Sequence, residues 1–332
     1  MNYREPPETA KPYKETYLAG LSRLIEEKQA QAAKTRQAYA ADIFTDPERY
    51  RKDLRNLLGW PLNEPSPIAL PPVTAEELSR EDGYTLYRLQ FEILPGVKLA
   101  GLFFRMDEDT AKPLVLVQHG KLGTPERLSG VYGGTSNYNQ MLSRIISHKV
   151  HAFAPQLCLW GNSYDVPFDR EELDARLKRL GSSIAAVEIY GLTRILDYFQ
   201  AQSYVSCLGM AGMSYGGFYT LMTTALDTRL KAAICCSYFN NRDAVPWSDW
   251  VWFGSGLKFD DAQLACLVCP RKLYVLMGNR DELFDYRNTV ASYEEAAAMN
   301  PSQWMQLHIY DGNHEFCPDD APMESFIQDL HA

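Results

Sequence analysis

One short motif constrains the fold of this chain more than any other segment. Residues 212–216 read Gly-Met-Ser-Tyr-Gly, which is the pattern G-x-S-x-G. The motif follows an apolar run at 205–211 that is typical of a buried strand, and it precedes a helix-like segment at 218–222. A glycine is needed on each side because the strand-to-helix turn strains the backbone at the serine and leaves no room for flanking side chains. The motif therefore predicts a sharp turn that presents Ser214 as a nucleophile.

Partners for this serine follow later in the chain. Residues 272–278 read as a buried strand, and Asp281 comes three residues beyond its final glycine. Residues 304–310 read as a last strand, and His314 lies in the loop after it. The order serine, acid, histidine, with each residue just past the end of a strand, differs from the orders of two other serine hydrolase folds. We therefore predict a catalytic triad of Ser214, Asp281 and His314.

The acid has two rivals within four residues. Glu282 and Asp285 could hold the histidine in place of Asp281, and Asp285 is the stronger of the two. Among the other histidines, His308 lies inside a strand pattern and His148, His151 and His331 lie near element ends. These four are predicted to have packing or surface roles.

A second strand ends in a histidine-glycine turn. Residues 113–118 form an apolar run that leads into His119, Gly120 and Lys121. Acyl transfer needs two backbone N–H groups aimed at the developing oxyanion, one from the residue after the nucleophile and one from an earlier loop. We assign these donors to Tyr215 and Lys121. Gly120 allows close approach of the backbone, and His119 is expected to orient the loop by hydrogen bonding.

Composition narrows the class of protein. The chain has 332 residues, of which 46% are hydrophobic, so it can bury a large core. Its longest apolar runs fall far short of the roughly 18 residues that span a bilayer, so no membrane association is expected. The first residues are charged and contain proline without an apolar signal region, which favours a cytoplasmic location. The formal net charge of −9 argues against a nucleic-acid partner.

The cysteines favour a reducing compartment. There are seven, an odd number, and most lie in apolar strand patterns. Cys266 and Cys269 form a lone C-x-x-C without nearby histidines, which favours burial over a zinc site. No phosphate-binding or dinucleotide-binding glycine motif appears in the required context. We therefore expect neither a metal nor a cofactor.

The organisation of the chain changes near residue 80. Residues 1–80 read as a helical extension, with an apolar helical face at 17–25, a second helix at 48–58 and a proline-rich connector at 65–72. The first helix either packs on the body or forms a homo-oligomer contact. From Tyr84, two strands joined by Pro95-Gly96 predict an antiparallel hairpin.

Strands and helices then alternate to the C-terminus, beginning with the strand at 113–118 and a helix at 136–148. We therefore predict an α/β domain at 81–332 with a mostly parallel sheet and helices on both faces. Sites in such sheets lie at the carboxyl ends of the strands.

These motifs together resemble a known family. Residues 50–61, the strands around Pro95-Gly96, the His119-Gly120 turn and His314-Glu315 are similar to the arrangement in α/β-hydrolases of the acetyl xylan esterase-like and dienelactone hydrolase-like group. The resemblance covers roughly residues 45–332. It implies an α/β-hydrolase fold and a serine esterase. Dienelactone hydrolases proper use a cysteine nucleophile, whereas this chain has Ser214.

The substrate pocket is less defined. Aromatic and polar residues alternate irregularly across a cap-like insertion at about 238–259. These aromatics either form a wall of the active site, on which a sugar could stack, or belong to the core. The candidate pocket residues are His119, Trp160, Tyr238, Trp247 and Trp250.

We expect a short acyl ester, such as an acetate, of a carbohydrate or other small alcohol. A general carboxylesterase for longer or aromatic acyl groups is the main alternative. A peptidase and a noncatalytic binding protein are the remaining ones.

Overall fold

Most strands form where apolar residues run or alternate over short stretches. The computed structural model describes residues 1–159, 166–245, 247–300 and 302–332. The strands are β1 (Val73–Glu81), β2 (Tyr84–Leu94), β3 (Val97–Met106), β4 (Lys112–Gln118), β5 (His151–Pro155), β6 (Val205–Met213), β7 (Leu230–Cys236), β8 (Lys272–Gly278) and β9 (Met305–Tyr310).

In the described part of the chain these strands form one nine-stranded sheet in the order β1-β2-β3-β5-β4-β6-β7-β8-β9. β1, β2 and β3 pair antiparallel, and β3 is also antiparallel to β5. The pairs from β5 through β4 to β9 are all parallel. Because parallel strands end at a common edge, the loops after β4, β6, β8 and β9 meet there.

Helices follow the strands on both faces of this sheet. They are α1 (Pro7–Tyr39), α2 (Pro47–Leu58), α3 (Pro125–Ser129), α4 (Met141–Ser147), α5 (Arg170–Lys178), α6 (Ile184–Gln200), α7 (Tyr215–Leu226), α8 (Ser255–Lys258), α9 (Asp261–Cys266), α10 (Tyr286–Met299) and α11 (Ala321–His331).

Two layers of apolar side chains hold the helices on the sheet. On one face, α2, α6, α7 and α9 bury residues that include Leu54, Ile189 and Phe218. On the other, α3, α4 and α11 bury residues that include Leu142 and Phe326. The predicted α/β architecture, with a mostly parallel sheet, helices on both faces and an N-terminal helical extension, is confirmed.

The N-terminal helix contacts the body near its C-terminal end. Arg36 is buried there, and its guanidinium donates to the carbonyl oxygen of Gly256 at 2.5 Å and pairs with Asp260 at 3.4 Å. Almost all side chains of α1 before this point are exposed. The second helix ends where predicted, because Gly59 follows Leu58 with φ 87°.

Two elements differ from the sequence expectation. Residues 73–80, which lie in the predicted extension, form the edge strand β1 together with Glu81. Its side chains are mostly exposed, so it lacks the apolar alternation of a half-buried strand. A helix predicted at 136–148 begins only at Met141. Asn139 and Gln140 before it adopt positive φ, which ends the preceding 3-10 turn and delays the helix.

No helix within the described residues combines the length and the apolar character needed to cross a membrane. The cysteines are all free thiols.

Candidate active site

The turn between β6 and α7 is strained at one residue. Ser214 has φ 58° and ψ −123°, a conformation that is rare for a residue with a side chain. Its backbone N–H donates to the carbonyl oxygen of Cys236 on the neighbouring strand at 2.9 Å. The predicted sharp turn is therefore present, and Ser214 stands at the carboxyl end of a central strand.

Glycines make room for this turn. A Cβ atom on Gly212 would overlap the backbone of Gly216, and one on Gly216 would overlap the carbonyl oxygen of Gln118. A Cβ on Gly120 would lie 3.1 Å from the Cβ of Ser214. The loop after β4 therefore packs its backbone directly against the serine, as the candidate oxyanion loop requires.

The imidazole of His314 is paired with a buried carboxylate. Its Nδ1 lies 2.8 Å from Oδ2 of Asp281, whose side chain is 0% exposed, while that of His314 is 19% exposed. The other oxygen of Asp281 accepts the backbone N–H groups of Leu283 at 2.9 Å and Phe284 at 3.0 Å. Both carboxylate oxygens are thus engaged, which fixes the direction in which Asp281 holds the imidazole.

The rival carboxylates make other contacts. Asp285 caps α10 by accepting the N–H of Arg287 at 3.0 Å, and it forms a salt bridge with that guanidinium at 2.6 Å. Glu282 is exposed. The geometry therefore favours Asp281 over Asp285 as the partner of His314.

The loop that carries His314 is fastened beside the serine turn. The side-chain amide of Asn137 donates to the carbonyl oxygen of His314 at 3.2 Å and lies 3.9 Å from the sulfur of Met213, the residue before Ser214. Ser237, next to the residue that accepts the Ser214 amide, donates its hydroxyl to the carbonyl oxygen of Glu315 at 2.9 Å. These contacts bring the imidazole loop and the serine turn to one place.

The two candidate oxyanion residues meet at one indole ring. Tyr215 is the first residue of α7, so its amide belongs to the positive end of the helix dipole. The Tyr215 ring stacks on Trp247 with centroids 5.5 Å apart, and Nζ of Lys121 lies 5.9 Å from the centroid of that indole. Trp247 is partly buried and borders this group.

His119 lies behind the loop and is completely buried. Its Nδ1 lies 2.9 Å from the carbonyl oxygen of Gly120, and its Nε2 accepts the N–H of Leu157 at 3.2 Å. Burial lowers the pKa of His119 to about 4, so the ring is neutral with its proton on Nδ1. This ring connects two loops through backbone groups, and neither of its nitrogens faces an open pocket.

The other proposed pocket residues do not lie together around the candidate site. Tyr238 and Trp250 are each 1% exposed and belong to the core, where Tyr238 donates its hydroxyl to Asp261 at 3.1 Å. Trp160 lies outside the described residues. Two tryptophans of the insertion, Trp247 and Trp250, are proposed pocket residues. Of these two, Trp247 lies at the edge of the candidate site.

A buried ionic network behind the turn was not found from the sequence. The hydroxyl of Tyr215 donates to Asp249 at 3.0 Å, and Arg170 pairs with Asp249 at 2.8 Å and with Glu188 at 3.0 Å. Arg170 is fully buried, so its charge is compensated only by such partners. The network anchors the side chain of a candidate oxyanion residue. Glu188, a single charge in the apolar run 184–192, was the available signal.

A cavity of about 520 Å³ opens beside the paired carboxylate. It is lined by Ala244, Val245, Asn279, Asp281, Glu282, Leu283, Asp285, Tyr286, Arg287 and Asn288. Most of these side chains can donate or accept hydrogen bonds.

Several solved structures are similar to this chain. A glucuronoyl esterase from Solibacter usitatus has a TM-score of 0.66 and 12% sequence identity, covering 88% of this chain and 94% of its own. Acetyl xylan esterase 1 from Thermoanaerobacterium sp. JW/SL YS485 has a TM-score of 0.58 and 13% identity, covering 86% and 94%. An acetyl xylan esterase from Paenibacillus sp. R4 has a TM-score of 0.57 and 17% identity, covering 87% and 94%.

No family model matches the chain, and no curated protein matches it. The structural likeness shows that the chain has the α/β-hydrolase fold.

The buried His119 predicts a pH dependence of stability. Its pKa is about 4 in the folded protein and about 6.5 in an unfolded chain, so between these values the unfolded chain binds a proton that the folded protein does not. As the pH drops from 6.5 to 4, His119 should lower the free energy of unfolding by up to about 1.4 kcal/mol per pH unit.

Urea unfolding across this pH range measures the slope. In His119→Gln the free energy of unfolding should change less steeply with pH, because the proton taken up by His119 on unfolding is absent. The exposed control His331→Gln should keep the slope of the original chain. An unchanged slope in His119→Gln would contradict the assignment of a neutral buried imidazole.

Proposed function

We propose that this chain is a serine esterase that hydrolyses carboxylic esters with Ser214, His314 and Asp281 as its triad. The observation that carries the proposal is the 2.8 Å pairing of His314 Nδ1 with the fully buried Asp281 carboxylate. A hydrogen bond from Asn137 to the carbonyl oxygen of His314 holds this pair next to a strained turn whose central residue is a serine. A neutral imidazole held in this way keeps Nε2 available as a base.

In the first half of the reaction, His314 Nε2 takes the proton of Ser214 Oγ as that oxygen attacks the ester carbonyl. Among the described residues Ser214 Oγ has no hydrogen bond, and such contacts commonly tighten only when substrate is bound. The amides of Tyr215 and Lys121 stabilise the oxyanion. Loss of one such donor typically removes about 3 kcal/mol of transition-state stabilisation. The tetrahedral intermediate then collapses, the bond to the alcohol oxygen breaks, and His314 protonates the leaving alcohol.

In the second half, water replaces the alcohol. His314 takes a proton from this water as its oxygen attacks the acyl-enzyme carbonyl, and the Ser214 ester bond breaks. Ser214 recovers its proton from the imidazole, and the carboxylic acid leaves. Apart from the ester and water, every group in these reaction steps is a side chain or backbone amide of the chain, and the proposed mechanism uses no metal or cofactor.

The substrate we propose is a short acyl ester, such as an acetate, of a carbohydrate or other small alcohol. The cavity beside Asp281 is not lined by Ser214 or His314, so it could hold only a part of the substrate away from the ester bond. Its amide, carboxylate, hydroxyl and guanidinium groups suit an alcohol part rich in hydroxyls. The similar structures, described as acetyl xylan esterases and a glucuronoyl esterase, support a carbohydrate ester.

A second candidate is a general carboxylesterase. The observation that favours it is the partly buried Trp247, stacked on Tyr215 beside Lys121, because an indole ring offers an apolar surface to a longer or aromatic acyl group.

We also propose that the first helix joins two copies of the chain. Its apolar side chains Tyr17, Leu18, Leu21, Leu24 and Ile25 are between 39% and 70% exposed along one stripe, and burying such a stripe requires a partner. The net charge of −9 opposes binding to nucleic acid, and seven free thiols suit a reducing compartment such as the cytoplasm.

The esterase proposal predicts a specific pattern of rates. Initial hydrolysis of p-nitrophenyl esters from acetate to octanoate, and of an acetylated xylo-oligosaccharide, should favour acetate and the sugar. Ser214→Ala should lower kcat/KM by at least about a thousandfold, because the nucleophile is lost. The matched control Ser206→Ala, on the same strand and exposed, should retain activity.

A serine-dependent preference for longer acyl groups would select the second candidate. Faster turnover of an aminoacyl amide than of any ester would overturn the esterase proposal in favour of a peptidase. A lack of activity on every substrate would favour a noncatalytic binding protein.

The two carboxylates near His314 predict opposite outcomes. Asp281→Asn should lower kcat on the order of a thousandfold or more, because an amide at this position favours the wrong imidazole tautomer. Asp285→Asn should keep kcat within a few-fold and lower the free energy of unfolding by about 1 kcal/mol or less, because it alters a helix cap and a salt bridge with Arg287 and leaves the contact between Asp281 and His314 in place. If Asp285→Asn instead showed the large loss of kcat, Asp285 and not Asp281 would be the acid of the triad.

The dimer proposal predicts that a charge in the apolar stripe separates the copies. Leu21→Glu should shift the molar mass from dimer to monomer in light scattering coupled to gel filtration, since a buried unpaired carboxylate is costly. Ala19→Glu, exposed on the other side of α1, is the control and should leave the dimer intact. A monomeric original chain at micromolar concentration would contradict the proposal.

A further inference from the structure

A second cluster of reactive side chains lies at the far end of the His314 loop. His308 on β9 and Cys317 and Asp319 before α11 each offer one ligand atom, and these atoms lie within 4.8 Å of one another. The imidazole Nε2 of His308 is 2.7 Å from Oδ2 of Asp319. Cys317 is buried with a free thiol, whereas His308 and Asp319 are reachable from solvent.

We propose that these three side chains bind a divalent cation of the zinc class. An imidazole nitrogen, a thiolate and a carboxylate form a mixed nitrogen, sulfur and oxygen set, which Zn²⁺ prefers over Mg²⁺ or Ca²⁺. Zn²⁺ bonds of about 2.0–2.3 Å in a tetrahedron need ligand atoms under about 4 Å apart. The ligand atoms, which now lie within 4.8 Å of one another, must therefore approach by up to about 1 Å on binding. Three protein ligands leave the fourth position for water.

The backbone around the cluster is already fixed. The guanidinium of Arg144 donates to the carbonyl oxygens of Cys317 at 2.7 Å and of Asp319 at 2.8 Å. The N–H of Cys317 donates to the sulfur of Cys236 on β7 at 3.4 Å. Because these bonds hold both loop residues, binding a cation requires no rearrangement of the chain.

Binding has two costs. The thiol of Cys317 must lose its proton to solvent, and burial opposes this by raising its pKa to about 12. The hydrogen bond between His308 and Asp319 breaks, and the proton on His308 Nε2 moves to Nδ1 by exchange with solvent, so that Nε2 and the carboxylate can each bind the metal. The cation therefore displaces a proton and a hydrogen bond and is expected to bind reversibly.

The ligands bracket the segment that carries the proposed base. His308 precedes His314 by six residues and Cys317 follows it by three. A cation bound to all three ligands would tie the end of β9 to the start of α11 and close the loop between them. This site takes no part in the ester chemistry, so the inference stands or falls separately from the proposed function.

Titration of the metal-free full-length protein with Co²⁺ tests the site, because thiolate-bound cobalt gives a near-ultraviolet charge-transfer band. We expect a saturable band with one equivalent of Co²⁺, and its displacement by Zn²⁺. Cys317→Ser should abolish the band, and Asp319→Asn, at an exposed position that leaves folding undisturbed, should weaken Co²⁺ binding at least about tenfold.

Two controls separate this site from others. Cys158→Ser removes the exposed thiol, and Glu324→Gln alters an exposed carboxylate of α11 outside the cluster; both should bind Co²⁺ as the original chain does. Ser214→Ala should also bind unchanged. A band that persists in Cys317→Ser, disappears in Cys158→Ser or is absent from the original chain would overturn the proposal.

Discussion

The strained backbone at Ser214 is the constraint on which the rest of the site depends. A residue with a side chain at φ 58° is unfavourable by itself, and it persists only where the surroundings fix it. Here the backbone N–H of Ser214 donates a hydrogen bond to Cys236 of β7. The flanking glycines let β4, β6 and α7 pack so closely that no Cβ atom would fit at those positions. The central position of β6 therefore determines where Ser214 lies, and the loop at Gly120 packs against it as a consequence.

The second arm of the site depends on the parallel register of the last two strands. Gly278 at the end of β8 pairs with Tyr310 at the end of β9, so the loops that follow start side by side. A Cβ on Gly278 would meet the backbone oxygens of Gly312 and Asn313 at 2.5 Å. This close approach brings Asp281 and His314 into contact although 33 residues separate them. Metal-binding chemistry at the other end of the same loop would reinforce an arrangement that hydrogen bonds already hold.

Local patterns in the sequence were sufficient for most of the fold. Apolar runs and the glycine at the end of β8 predicted the strands and the order of the three candidate triad residues. The edge strand β1 gave no such signal, because its side chains are mostly exposed. The choice between Asp281 and Asp285 needed coordinates, since both follow the same strand and only side-chain direction distinguishes them. The pairing of Arg170 with Asp249 joins residues 79 apart, and no local pattern encodes it.

The central claim is that Ser214 is the nucleophile activated by His314. Its most direct test is to inactivate the protein with a fluorophosphonate and to locate the modified residue by peptide mass spectrometry. Our account predicts one label per chain, on Ser214, with loss of ester hydrolysis in proportion to labelling and no labelling of Ser214→Ala. A label on another residue, or labelling that persists in Ser214→Ala, would contradict it.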